Sequence, residues 1–215
     1  MADGRLVIGT KRYSSWSLRG WLPAHLARLE VEEVVIPLAG GSTPAVKAAS
    51  PSGFVPFLEH GGARIWDSLA IGEYCAELAP GLWPADRARR AWARAVAAEM
   101  HSGFRELRMA MPFSAHADFR GQGRTEGALA DIARIEAVWA ECLAAHGGPF
   151  LFGEGFTLAD VAYAPVCGRF ITWGPELSAT SRAYVAAVRA HPLMERWYAE
   201  AALEPRDWHI AKYEA

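Results

Sequence analysis

Cysteine is scarce in this chain. Its 215 residues include only Cys75, Cys142 and Cys167, far apart in sequence. With no C-x-x-C there is neither a dithiol redox centre nor a zinc knuckle. All three fall in apolar helical contexts, so buried, inert thiols and a reducing cytoplasm are expected. The histidines are scattered, with no H-E-x-x-H or comparable spacing, so no metal is expected. Charge of one sign is also lacking: the formal net charge is −2, which gives no electrostatic footing for nucleic acid. No polybasic run adjoins an amphipathic anchor, so no membrane partner is expected. No apolar run reaches the ~18 residues of a membrane span. Met1 to Arg5 lacks a signal-peptide pattern, which again points to the cytoplasm. Internal repeats and low-complexity tracts are missing as well.

What is present is apolar and patterned. Hydrophobic residues make up 52% and charged residues 21%, enough to build a sizeable core. Leu6-Val7-Ile8-Gly9 reads as a buried strand. A helix follows over about 16–29, with Leu18, Leu22, Leu26 and Leu29 at helical spacing. Between them lies Thr10-Lys11-Arg12-Tyr13-Ser14-Ser15-Trp16-Ser17. These serines sit where a strand hands over to a helix. Hydroxyls there can cap the helix, or serve an anion drawn to its free N–H groups and positive dipole end.

Val31 to Leu38 reads as a second strand, and Thr43-Pro44 as the start of a short helix that stops before Pro51. Phe54 to His60 reads as a strand interrupted by proline. Gly61-Gly62 then turns into a return strand, Ala63 to Trp66. Asp67-Ser68 opens a helix running to Leu78. Proline in a strand removes a ladder donor. Pro56 at a strand start, after a βαβ unit, fits a cis turn that exposes the N–H and C=O of Val55 to an extended peptide. Asp67 and Ser68, at the positive end of a helix, suit both ends of an amino acid as well as capping.

Ala79 to Pro84 breaks the pattern and reads as a linker. Beyond it only helices are indicated: Asp86 to about Met111, Glu126 to His146, Phe156 to about Ile171, Ser178 to Ala190, and Pro192 to about Ala202. Arg87, Arg89, Arg90 and Arg94 read as a solvated helix face. Thr157-x-x-Asp160 reads as a capping box with Asp in the Glu/Gln position, a structural feature.

In this order and spacing, the serine turn, Val55-Pro56, Asp67-Ser68 eleven residues beyond that proline, and Thr157-x-x-Asp160 resemble the glutathione S-transferase family over nearly the whole chain. The resemblance implies an α/β plus all-α fold. Residues 1–79 would form a thioredoxin-like βαβαββα domain with a mixed four-stranded sheet, 80–85 a linker, and 86–215 a helical domain contributing the electrophile site. It implies glutathione as co-substrate, a small hydrophobic electrophile as second substrate, and a homodimer. A glutathione-dependent isomerase of the maleylacetoacetate type, a dehalogenase, a peroxidase or a non-catalytic glutathione binder of the same fold are the alternatives.

The resemblance also assigns roles. Val55, before Pro56, would pair its backbone with the cysteinyl part of glutathione, and Asp67 and Ser68 would hold the γ-glutamyl end. Omega-like and tau-like members place the sulfur-contacting residue five before an arginine of the first helix. Counting back from Arg19 gives Ser14. Beta-like members carry Cys-Ser at the turn, which matches Ser14-Ser15. Zeta-like members read S-S-C-S-W-R-V-R, and aligning the last arginine with Arg19 puts their catalytic serine on Arg12, a departure from the isomerase pattern. Ser15 remains an alternative, as does Tyr13, because alpha-, mu- and pi-like members use tyrosine. Serine in place of cysteine favours transfer over thiol exchange. Glu99-Met100-His101-Ser102 resembles the beta-like E-L-H-K, whose histidine approaches glutathione. Phe54 stands where many members have Lys or Gln, and Lys47 is a candidate for the glycyl carboxylate. Met100, Phe104, Met111 and Phe113 are candidates for the electrophile side.

Overall fold

The computed structural model describes residues 3–214. Strand β1, Gly4–Gly9, leads into helix α1, Ser15–Leu26, then β2, Glu32–Ile36, and the short α2, Pro44–Ala49. Strands β3, Phe57–His60, and β4, Ala63–Ile65, form the hairpin that precedes α3, Ser68–Leu78. The sheet order is β2-β1-β3-β4, with β1 parallel to β2 and antiparallel to β3. A helical crossover makes the parallel pair and a tight turn the antiparallel one. This is the mixed four-stranded, thioredoxin-like arrangement read from the sequence.

Several boundaries differ from the sequence reading. The ladder of β3 begins at Phe57, so Phe54 lies outside the strand and is three-quarters exposed. Helix α1 ends at Leu26 because Arg28 adopts a left-handed φ of 56°. The helix expected over Asp86 to Met111 is two: α4, Arg87–Ser102, and α5, Arg105–Ala110. The break is made by Gly103, a weak helix former, and by Phe104, which has a left-handed φ of 56°. Tertiary partners hold it. Arg108 donates to the carbonyls of Gly103 (3.1 Å), His101 (3.3 Å) and Met100 at the end of α4. Asp131 accepts from Leu107 N in the first turn of α5 (2.8 Å).

The remaining helices are α6, Glu126–His146; α7, Leu158–Trp173; α8, Ala179–Arg189; and α9, Pro192–Ala202. Helix α7 is buried on nearly every face and packs against α1, α4 and α8. Its start is fixed by Asp160, which is fully buried. The carboxylate accepts from Thr157 N (2.8 Å), Thr157 Oγ1 (2.9 Å), Leu151 N (3.0 Å) and Tyr184 Oη (3.1 Å). Burial drives this carboxyl up, and the four donors oppose the rise only in part; such satisfaction is what makes a buried carboxyl tolerable.

Past α9 the chain does something the sequence reading did not foresee. Two 3-10 turns, Arg206–Trp208 and Ala211–Tyr213, carry it back over the serine turn. No helix among the described residues is long and apolar enough to cross a membrane.

Candidate active site

The turn after β1 is built from both ends of the chain. Lys11 is buried beside the Trp21 and Trp197 rings, with Nζ 5.4 and 5.6 Å from their centroids. Its ammonium donates to Glu33 (2.7 Å) and to Glu200. The Glu204 carboxylate accepts from Lys11 N (2.6 Å) and Arg12 N (3.0 Å), so the turn's own N–H groups are satisfied by a residue beyond α9. Arg12 forms a bidentate pair with Glu214 (2.7 and 2.8 Å).

Each hydroxyl of the turn has a distinct state. Ser14 is the N-cap of α1: its Oγ accepts from Ser17 N (3.2 Å) and donates to Ser17 Oγ (2.7 Å). Ser17 Oγ in turn accepts from Gly9 N (2.9 Å), tying helix to strand. Tyr13 donates to Glu214 and accepts from Ile210 N (3.1 Å). Burial and the bond to Glu214 push its phenol up from its ordinary range. Ser15 Oγ accepts from Arg169 NH2 at 3.3 Å, and its proton has no protein acceptor among the described residues.

Two clefts flank this turn. The larger, 890 Å³, is lined by Tyr13, Ser14, Ser15, Trp16, Lys47, Phe54 and Val55 together with the loop before α2. The smaller, 360 Å³, is lined by Ser15, Trp16, Phe113, Arg108 and Arg169, with Ile210 and Tyr213 from the returning C-terminal segment. Tyr13, Ser15 and Trp16 belong to both. Since the Tyr13 proton goes to Glu214, Ser15 is the hydroxyl at the junction with a proton to give.

Val55 is set against the turn by close packing. The Val55–Pro56 bond is cis. Pro56 lies on α1 at Gly20, where a Cβ would stand 2.5 Å from Pro56 Cγ. Only glycine allows that approach. Asp67 caps α3, accepting from Leu69 N (2.9 Å) and Ala70 N (3.5 Å), and pairs with His101 Nε2 at 2.9 Å. His101 thus reaches from α4 to Asp67, and its ring stands edge-on to Trp16 with centroids 5.3 Å apart. Ser68 is buried, and its Oγ has no protein partner. Asp67 and Ser68 do not line the larger cleft; Ser68 and His101 line a 20 Å³ cavity with Arg19.

The expected electrophile residues divide. Met100, Phe104, Met111 and Phe113 are all packed in the core, and of them Phe113 also lines the smaller cleft. Arg108, Arg169, Trp16 and the returning segment were missed. Arg169 did leave a trace: it is a lone charge in the apolar run Val166-Cys167-Gly168-Arg169-Phe170, where an unpaired charge is rare. The three cysteines are buried and free. Burial pushes the Cys75 and Cys142 thiols up to about 12, so neither supplies a thiolate.

Comparison with known proteins bears on this site. A family model described as "Glutathione S-transferase, N-terminal domain" matches residues 13–78, and one described as "Glutathione S-transferase, C-terminal domain" matches residues 122–200. A glutathione S-transferase 1 of Dianthus caryophyllus is 30% identical over 156 residues, 70% of this chain and 70% of that protein. A probable maleylacetoacetate isomerase of Caenorhabditis elegans is 27% identical over 173 residues, 77% of this chain and 79% of that protein. The crystal structure of a maleylacetoacetate isomerase from Anaeromyxobacter dehalogenans, with glutathione bound in its active site, aligns with a TM-score of 0.68 at 27% identity. It covers 95% of this chain and 97% of that one.

Proposed function

Because this chain belongs to the glutathione S-transferase family, we propose that it binds glutathione in the 890 Å³ cleft and promotes attack by the thiolate on an electrophile in the 360 Å³ cleft. The observation that carries this reading is the position and state of Ser15, shared by both clefts and holding an undonated proton. A thiolate beside it would accept that proton as a hydrogen bond. The bond that Ser15 Oγ accepts from Arg169 polarises the hydroxyl and strengthens it as a donor. The start of α1 adds its dipole. Ser14, whose hydroxyl already caps α1, then has a positioning role.

Val55, Lys47 and Phe54 line the larger cleft, whereas the roles of Asp67 and Ser68, which lie outside its lining, rest on the family resemblance. The Val55 backbone pairs with the cysteinyl unit. Ser68 Oγ and Asp67 serve the γ-glutamyl end, with His101 orienting Asp67. Lys47 faces the glycyl carboxylate, and Phe54 covers the cleft edge. Conjugation then forms a carbon–sulfur bond, expels the leaving group with its electron pair and passes the thiol proton to solvent. We also take the chain to act as a homodimer in the cytoplasm, where its buried thiols stay reduced.

A second reading, glutathione-dependent isomerisation, is favoured by the isomerases among the relatives. The test is glutathione affinity by calorimetry, followed by turnover of chlorodinitrobenzene against a cis-to-trans isomerisation assay. A protein that fails to bind glutathione would sink both readings, and sedimentation equilibrium tests the dimer.

A further inference from the structure

Arg19 of α1, Arg108 of α5 and Arg169 of α7 converge behind the serine turn. Arg19 and Arg169 are buried, and Arg108 is largely so. Among the described residues none of them forms an ion pair; every acceptor they reach is neutral. Arg19 Nε donates to Ala162 O (2.8 Å), and its two terminal nitrogens have no partner. Arg169 donates to Met111 O (2.9 Å), Pro165 O (3.4 Å) and Ser15 Oγ (3.3 Å). Arg108 donates to the carbonyls at the end of α4, and its NH1 has no partner. The Trp16 ring lies close to two of these cations, 5.1 Å from Arg19 and 4.9 Å from Arg108.

Like charges brought together away from water disfavour one another. Burial and the Arg108 charge pull Arg169 down to about 9, which leaves it cationic at neutral pH. Burial lowers Arg108 as well, with Asp131 opposing. Carbonyl contacts explain why these arginines hold the α4–α5 corner and the flank of α7. They do not explain why, among the described residues, none of these charges is paired in direct contact with a carboxylate. Arg108 and Arg169 both line the 360 Å³ cleft, whose other walls include Trp16, Phe113 and Tyr213.

Resting on the reading of this cleft as the electrophile site, we propose that the second substrate is an aromatic or unsaturated carboxylic acid. Its carboxylate seats on Arg108 and Arg169, and its electrophilic carbon faces Ser15. A planar guanidinium matches a carboxylate, and the aromatic walls match the apolar remainder. The hydrophobic electrophile expected from the family resemblance thereby gains a charge.

The test compares chlorodinitrobenzoate with its methyl ester, which keeps the ring and removes the charge. In both, the glutathione sulfur bonds to the chlorine-bearing carbon, chloride leaves with the electron pair, and the thiol proton goes to solvent. The acid should exceed the ester in kcat/KM by about tenfold or more, the worth of a charge-assisted hydrogen bond, although the carboxylate is the poorer ring activator. Without glutathione, dinitrobenzoate should quench tryptophan fluorescence, a quench that Trp16→Phe diminishes, and bind about tenfold more tightly than its methyl ester. Arg108→Gln should shrink both preferences by a similar factor, and Arg108→Lys should restore part of them. Equal binding and turnover of acid and ester would overturn the proposal, as would a preference untouched by Arg108→Gln and by Arg169→Lys. If dinitrobenzoate binds in this arginine-dependent way but glutathione does not bind, the transferase reading falls and the carboxylate site stands.

Discussion

Replacing Ser15 by alanine tests it against Ser14, the serine that the sequence placed first at the sulfur. A free thiol near pKa ~8.5 is only a few per cent ionised at neutral pH. Lowering it by about two units takes about 2.7 kcal/mol of differential stabilisation. A hydroxyl hydrogen bond to a charged group contributes about 1.5–3 kcal/mol, and a helix start about 0.3–1 kcal/mol. Most of the shift therefore hangs on one hydroxyl. Ser15 Oγ is buried, is fixed by Arg169 at 3.3 Å, and has its proton available. Ser15→Ala should raise the pKa of bound glutathione by about 1–2 units. At neutral pH that lowers kcat/KM for chlorodinitrobenzene by about three- to twentyfold. Ser14→Ala should instead cost about 0.5–2 kcal/mol of stability, because it removes the cap of α1, and leave the bound-thiol pKa close to wild type. The assay is ultraviolet thiolate absorbance of the binary complex titrated against pH, with urea unfolding of each variant as a control. If Ser14→Ala raises the thiol pKa and Ser15→Ala does not, the sulfur sits at the cap and the assignment is refuted.

Gly20→Ala should weaken glutathione binding even though alanine is the better helix former, because its Cβ would stand 2.5 Å from Pro56 Cγ and displace Val55; calorimetry that finds unchanged affinity would contradict this packing argument. Asp160→Ala should destabilise the protein by more than about 3 kcal/mol in urea, since it orphans several buried donors at once. Arg12 holds the Glu214 carboxyl at about 2 against an ordinary 4.5. A depressed carboxyl contributes its stabilisation fully above the ordinary value and loses it as pH falls toward the lowered one. The C-terminal segment should therefore loosen below about pH 4.5, and Glu214→Gln should reproduce this at neutral pH as faster proteolysis near Arg206 or Lys212. Finally, a chromogenic disulfide reagent should find the three thiols unreactive in the folded protein and reactive in urea, given their burial.

The fold was largely legible because its signals are local. The Gly61-Gly62 hairpin, the Thr43-Pro44 and Asp67-Ser68 helix starts and the period of α6 each depend on residues within a few positions of one another. Even so, the α4–α5 kink escaped. Gly103 was visible, but one of the partners that stabilise the break, Asp131, is 24 residues away from Leu107. For Met100, Phe104 and Met111 core packing was already the stronger reading beside the cleft-wall one, and the core is where they lie.

Sequence by itself determined that a strand hands over to a helix through a run of hydroxyls, that Val55-Pro56 and Asp67-Ser68 follow at a telling spacing, and that no cysteine thiolate or metal motif competes with them. Only the tertiary structure decided what each hydroxyl does. Ser14, placed first at the sulfur by the sequence with Ser15 or Ser17 as the cap, is itself the cap of α1 and bonds to Ser17, 3 residues on. Ser15 meets Arg169 across 154 residues, and Tyr13 meets Glu214 across 201. Side chains that distant are brought together by the packing of α7 against α1 and by the return of the chain beyond α9. The hydrogen-bond states of Ser15 and Tyr13 were therefore set by groups that no local pattern could reveal.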